Sequence, residues 1–160
     1  MRQLTKVPFH LHLMATRPMD LLPAFLEAGV DRVTVPLEMG KRVWHVVDRL
    51  RERGKEAGIS LELETPVEMV RGFRGKVDTV VLMGTAMGVK GCGLDERACG
   101  RISAMRALLE DWPGRIVADG GIRQDSVALL RAAGADGIVP GSLICGAADV
   151  GATAGWLRGL

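Results

Sequence analysis

The chain has 160 residues, 48% of them hydrophobic, with 21 Lys plus Arg against 19 Asp plus Glu. That length and apolar content suit one compact domain over residues 1–160 with its own core. A net charge of +2, with both signs interspersed, excludes the usual nucleic-acid footprint, and no apolar run is long enough to span a bilayer, so neither nucleic acid nor membrane is expected as a partner.

Residues 7–14 read Val-Pro-Phe-His-Leu-His-Leu-Met and predict a first strand, with His10, His12 and Met14 on one face. Pro18 opens a helix in which Leu21, Leu22, Phe25 and Leu26 recur at helical spacing up to Gly29. Residues 31–36 predict a second strand, followed by Glu38 and Gly40. A long amphipathic helix is expected over residues 41–57, stopped by Gly58. Residues 59–63 predict a third strand with Ser60, Glu62 and Glu64 on its polar face. Thr65-Pro66 then opens a short helix to about Arg71. Residues 77–83 are nearly all apolar, as in a strand buried on both faces. A glycine-rich loop, 84–93, precedes a helix over 96–109, a strand over 115–119 and a helix over 124–133. A last strand at 136–140 and a weak helix over 147–157 close the chain.

This is a βα unit repeated six times, which means a parallel sheet with right-handed crossovers. Two α/β architectures fit: an open doubly wound sheet, or a TIM-barrel-like section of a (β/α)8 barrel. No GxGxxG follows the first strand and there is no Walker loop, so nucleotide binding has little support. The three cysteines, Cys92, Cys99 and Cys145, are odd in number and lack CxxC spacing. With no signal-peptide pattern at the N-terminus, they read as reduced thiols of a cytoplasmic protein.

The chemistry concentrates at strand ends. Asp119 closes a buried strand and is followed by Gly120-Gly121, which let a backbone approach a ligand closely. A carboxylate there can ligate a metal or move a proton next to a carbonyl; the plainer reading is a cap for the following helix. His12 is either a metal ligand or a hydrogen-bonded core residue, and His10 shares its face. Gly141-Ser142 can offer amides and a hydroxyl to a phosphate, or form a simple turn. Met14 and Met83 end strands near the same mouth.

In register along the chain, these residues resemble the ribulose-phosphate 3-epimerase family. The carriers are His12-Leu13-Met14 with Pro18, Ala28-Gly29-Val30-Asp31 with Glu38, and Ala57-Gly58-Ile59 through Thr65-Pro66. Val80-Val81-Leu82-Met83 follows, then Asp119-Gly120-Gly121-Ile122, and Ala133-Gly134-Ala135-Asp136 through Gly141-Ser142. The resemblance implies a (β/α)8 barrel and a metal-assisted isomerase that inverts carbon 3 of a ketose phosphate such as ribulose 5-phosphate, in pentose phosphate metabolism. It implies Asp119 as proton carrier and metal ligand, and His12 as metal ligand for zinc, iron or manganese. Met14 and Met83 would form an apolar wall, and Gly120, Gly121, Gly141 and Ser142 would hold phosphate.

The match starts at the family's third strand. The first two βα units fall outside it, with the family's second His ligand, second Asp and first-strand Ser. The loop that usually reads Pro-Gly-Phe-Gly-Gly-Gln is here Met87-Gly88-Val89-Lys90-Gly91-Cys92, in which Lys90 could pair with a phosphate or simply be solvated. Glu62 stands where Asn is usual, and Pro36 where His is usual. Glu38, Glu62 or Glu64 could replace the missing carboxylate, Glu62 best because it shares a face with Ser60, although the plainer reading of Glu62 is a solubilising charge at a strand end. The alternative is a catalytically impaired family member that binds a sugar phosphate or a protein partner. Six strands leave two open edges, so a homo-oligomer is expected.

Overall fold

The computed structural model describes residues 2–86, 88–89 and 91–159. Six strands, β1 (His10–His12), β2 (Arg32–Pro36), β3 (Glu56–Leu61), β4 (Thr79–Met83), β5 (Arg115–Asp119) and β6 (Gly137–Val139), form one sheet. All pairings are parallel and the order is β1-β2-β3-β4-β5-β6. A doubly wound sheet reverses its strand order at a switch point. This one never does, which decides between the two architectures in favour of the barrel section. β1 pairs with β2 alone and β6 with β5 alone among the described residues.

Strand alternation sorts side chains to two faces. Val33, Val35, Ile59, Leu61, Val80, Leu82, Ile116 and Ala118 point one way and are buried. The helices cover them: α1 (Pro18–Glu27), α2 (Arg42–Glu52), α3 (Ala98–Leu108) and α4 (Gln124–Ala132). From these come Leu22, from α2 Val43, Val46, Val47 and Leu50, then Ile102, Met105 and Leu130. Burying each of the larger side chains contributes about 1.5–3 kcal/mol. The opposite face carries His10, His12, Thr34, Ser60, Thr79 and Asp119. The sheet curls about that face, because His12 on β1 reaches both Ser60 on β3 and Asp119 on β5. At its floor, Glu56 pairs with Arg32 and with Arg115.

Several elements differ from expectation; the first strand, expected over residues 7–14, is confined to His10–His12, and the third, expected over 59–63, is Glu56–Leu61. The helix expected to run to residue 57 ends at Glu52, because Gly54 turns the chain at φ 63 and Glu56 already pairs with Arg32. Gly58 therefore lies inside β3, not at a helix end. A side chain there would overlap Thr34 on the neighbouring strand. The short helix after Pro66 is a 3-10 helix, Val67–Phe73, whose Phe73 stacks on Trp44 with centroids 4.1 Å apart. The C-terminal helix expected over residues 147–157 is α6 (Val150–Gly159), and a further short helix, α5 (Gly141–Cys145), starts at the Gly-Ser pair expected as a turn or phosphate loop. No helix among the described residues is long and apolar enough to cross a membrane.

Candidate active site at the strand ends

β5 runs from Arg115 at the floor to Asp119 at the mouth, and its inner residues Ile116, Val117 and Ala118 are buried. The carboxylate is thus carried on a rigid strand and is four-fifths buried. At the start of the helix after it, Ser126 Oγ accepts from the Arg123 amide and the Ser126 amide donates to the Arg123 carbonyl, with Arg123 at the N-cap position, so the capping alternative for Asp119 is excluded. His12, at the end of β1, places Nδ1 3.2 Å from Asp119 Oδ2 and Nε2 2.9 Å from Ser60 Oγ. An ionised carboxylate only accepts, so Nδ1 carries the proton and donates it to Asp119. When the ring is uncharged, Nε2 then accepts from the Ser60 hydroxyl. Ser60 is 2% exposed. It orients the imidazole from below and is closed to substrate, so this row is not a hydrolase triad despite its order.

Behind Asp119 the backbone is packed tightly. Gly120 and Gly121 have φ of 91 and 68. A Cβ on Gly120 would lie 2.5 Å from Thr85 Oγ1, and one on Gly121 2.6 Å from the Leu94 Cα. Glycine is required at both positions. The Gly84 amide donates to the Asp119 carbonyl at 2.6 Å, which ties the loop after β4 to the loop after β5.

Asp119, Gly120, Gly121, Gly141 and Ser142 line one cavity of about 440 Å³, shared with Thr85, Cys92 and Arg123. Met83 is the register partner of Asp119 across β4 and β5 and is 7% exposed. Met14 lies beyond the end of β1 and is 47% exposed. Glu62 is part-buried; its amide donates to Glu38 and its carbonyl accepts from Arg101. Glu38 is committed to that loop, accepting also from the Thr65 hydroxyl, and Glu64 is paired with Arg97 at the surface. Of the three replacement carboxylates, Glu62 alone has no side-chain partner among the described residues. Lys90 and Met87 lie outside the described residues.

One imidazole and one carboxylate suit zinc, iron or manganese in kind. They fall short of the three protein ligands of a catalytic zinc. Among the described residues no group of three His, Cys, Asp or Glu is placed to hold a metal ion. The residues present do not by themselves fit the ion.

The role of Ser60, placed only on the polar face of its strand, escaped the reading of the sequence, and Arg123 escaped it altogether. Ser60 is a polar residue on a strand whose neighbours Ile59 and Leu61 are apolar, which is a usable signal. Arg123 carries no such signal, because its role depends on α5 folding back over it.

A family model described as the ribulose-phosphate 3 epimerase family matches residues 1–145. Ribulose-phosphate 3-epimerase of Treponema pallidum is 33% identical over 89% of this chain and 66% of its own length. That of Bacillus subtilis is 28% identical over 92% of this chain and 70% of its own. This chain therefore spans about two thirds of the length of these relatives. Among solved structures, orotidine 5'-phosphate decarboxylase from Pyrococcus horikoshii OT3 superposes with a TM-score of 0.70 at 20% identity, covering 98% of this chain and 74% of that one. A 3-hexulose-6-phosphate synthase gives 0.68 at 22%, covering 88% and 66%. Both likenesses concern the fold.

Proposed function

The chain belongs to the ribulose-phosphate 3-epimerase family, and from that premise we propose that it is an isomerase that moves the proton at carbon 3 of a ketose phosphate. The observation that carries this is Asp119: a strand-end carboxylate held by His12, beside a buried Met83, in a cavity lined by glycines. Asp119 takes the carbon 3 proton. The C–H electron pair becomes the C2–C3 double bond of an enediolate, with the negative charge on the carbon 2 oxygen. Met83 keeps water from the neighbouring wall, and Met14 closes the rim. The amides of Gly120, Gly121 and Gly141 and the Ser142 hydroxyl hold the phosphate. Ribulose 5-phosphate and related ketose phosphates fit this scheme equally.

A single carrier returns its proton to the face it came from. Inversion needs a second carrier on the opposite face, and we assign Glu62 to it. Support comes from its place at the end of β3 and from a backbone held by Glu38 and Arg101. No step is routed through a metal, since His12 and Asp119 supply too few donors. Zinc, iron or manganese would bind there only with further ligands. A homo-oligomer, supported by the edges of β1 and β6 that pair with no further strand among the described residues, and a cytoplasmic location belong to the same proposal.

Turnover of D-ribulose 5-phosphate by wild type and Glu62→Gln tests the assignment. Inversion that falls in the variant while proton exchange at carbon 3 persists supports two carriers. Unchanged inversion removes Glu62 from the mechanism. Bound sugar phosphate with neither exchange nor inversion favours the alternative reading, a sugar-phosphate-binding relative without turnover.

A further inference from the structure

Arg123 follows Gly120 and Gly121 on the loop after β5 and lines the cavity that contains Asp119. Its Nη1 donates to Ser142 Oγ and to the Ile122 carbonyl, each at 3.0 Å, and its Nη2 donates to the Cys92 carbonyl at 3.1 Å. All three acceptors are neutral. Arg97 is charge-paired with Asp95 and Glu64, and Arg106 with Asp136, whereas Arg42, Arg51 and Arg101 also donate to carbonyls; Arg123 differs from these in lining the cavity of Asp119. Among the described residues no carboxylate lies within ion-pair distance of Arg123. A part-buried guanidinium clamped by neutral oxygens keeps its full charge and a fixed direction, which suits an anion.

We propose that Arg123 is the cationic anchor for the phosphomonoester, receiving phosphate oxygens that the glycine amides and Ser142 hold from the other side. Guanidinium carries five N–H donors. Three are used on Ile122, Ser142 and Cys92. Nε–H and one Nη2 hydrogen remain for the phosphate. The same three bonds join the loops after β4, β5 and β6, so phosphate binding and loop order act together at this residue. Selectivity for a phosphorylated sugar then comes from a side-chain charge as well as from backbone amides.

The inference rests on the sugar-phosphate reading, and its test needs no turnover. Inorganic phosphate is titrated calorimetrically into the full chain, as wild type, Arg123→Gln and Arg123→Lys. The expected result is a loss of about tenfold or more in affinity for Arg123→Gln, the scale of a charge-assisted contact. Arg123→Lys keeps the charge without the fork and should weaken binding several-fold. Should Arg123→Gln fail to fold, Arg123→Lys decides. Wild-type affinity in either folded variant, or no phosphate binding by wild type, overturns the proposal. Arg123-dependent phosphate binding without any turnover would leave this inference standing and defeat the isomerase reading.

Discussion

His12 on the first strand donates its Nδ1 proton to Asp119 on the fifth, across 3.2 Å. Three strands separate them in the sheet order, so this contact exists only because the sheet curls. It makes the fold and the site the same object. The side chains that close the curve are those assigned to the chemistry, with Ser60 on β3 holding the other nitrogen of the His12 ring.

One consequence concerns His12. Removing its ring leaves a largely buried carboxylate without a partner and free to turn. His12→Ala should lower carbon 3 proton transfer by about 100-fold, within the range of acid–base contributions. The paired variant Asp119→Asn should lose it outright while melting within about 2 °C of wild type. A large fall in melting temperature for Asp119→Asn would show a structural residue in place of a catalytic one.

Acid stability has a source at the floor of the sheet. His10 Nε2 sits 2.7 Å from Thr34 Oγ1. Desolvation, followed by the charges of Arg32, His12 and Arg115, lowers its pKa from 6.5 to about 4. The unfolded chain therefore takes up a proton in that window which the folded chain refuses. Stability from this source is full above pH 6.5 and is lost as pH falls toward 4. Urea midpoints should drop between about pH 7 and pH 5 in wild type. The drop should be smaller in His10→Gln; an equal drop would place the acid sensitivity elsewhere.

The glycines behind Asp119 make a sharp contrast. Gly121 has φ 68, and a Cβ there meets the Leu94 backbone at 2.6 Å. Gly121→Ala should cost about 2 kcal/mol or more from backbone strain, with the clash adding to it. Gly93, one loop away, has nothing within 4 Å of a Cβ. Gly93→Ala should stay within about 0.5 kcal/mol of wild type. Chemical denaturation of the two variants side by side checks both expectations, and equal destabilisation would contradict the crowding described.

Much of this was legible before any coordinates. Alternating or continuous apolar runs located each of the six strands, and β5 at Arg115–Asp119 agrees to the residue, since its apolar run is bounded by charges at both ends. The β3 boundary was harder, because Glu56 and Gly58 look like helix end and stop until Arg32 and Thr34 are seen across the ladder. Asp119 and His12 could be named singly from their strand-end positions. Their contact could not, because sequence spacing carries no measure of how far a sheet curls. Arg123 was hidden for a related reason: its partners Cys92 and Ser142 are 31 and 19 residues away.

The central claim is that Asp119 carries a proton at carbon 3 of a ketose phosphate. The most direct measurement is deuterium incorporation at that carbon when D-ribulose 5-phosphate is incubated with the full chain in D2O, followed by proton NMR. The account predicts loss of the carbon 3 proton signal with wild type and its retention with Asp119→Asn. Exchange undiminished in Asp119→Asn, or no exchange by a wild-type chain that binds the sugar phosphate, would contradict it.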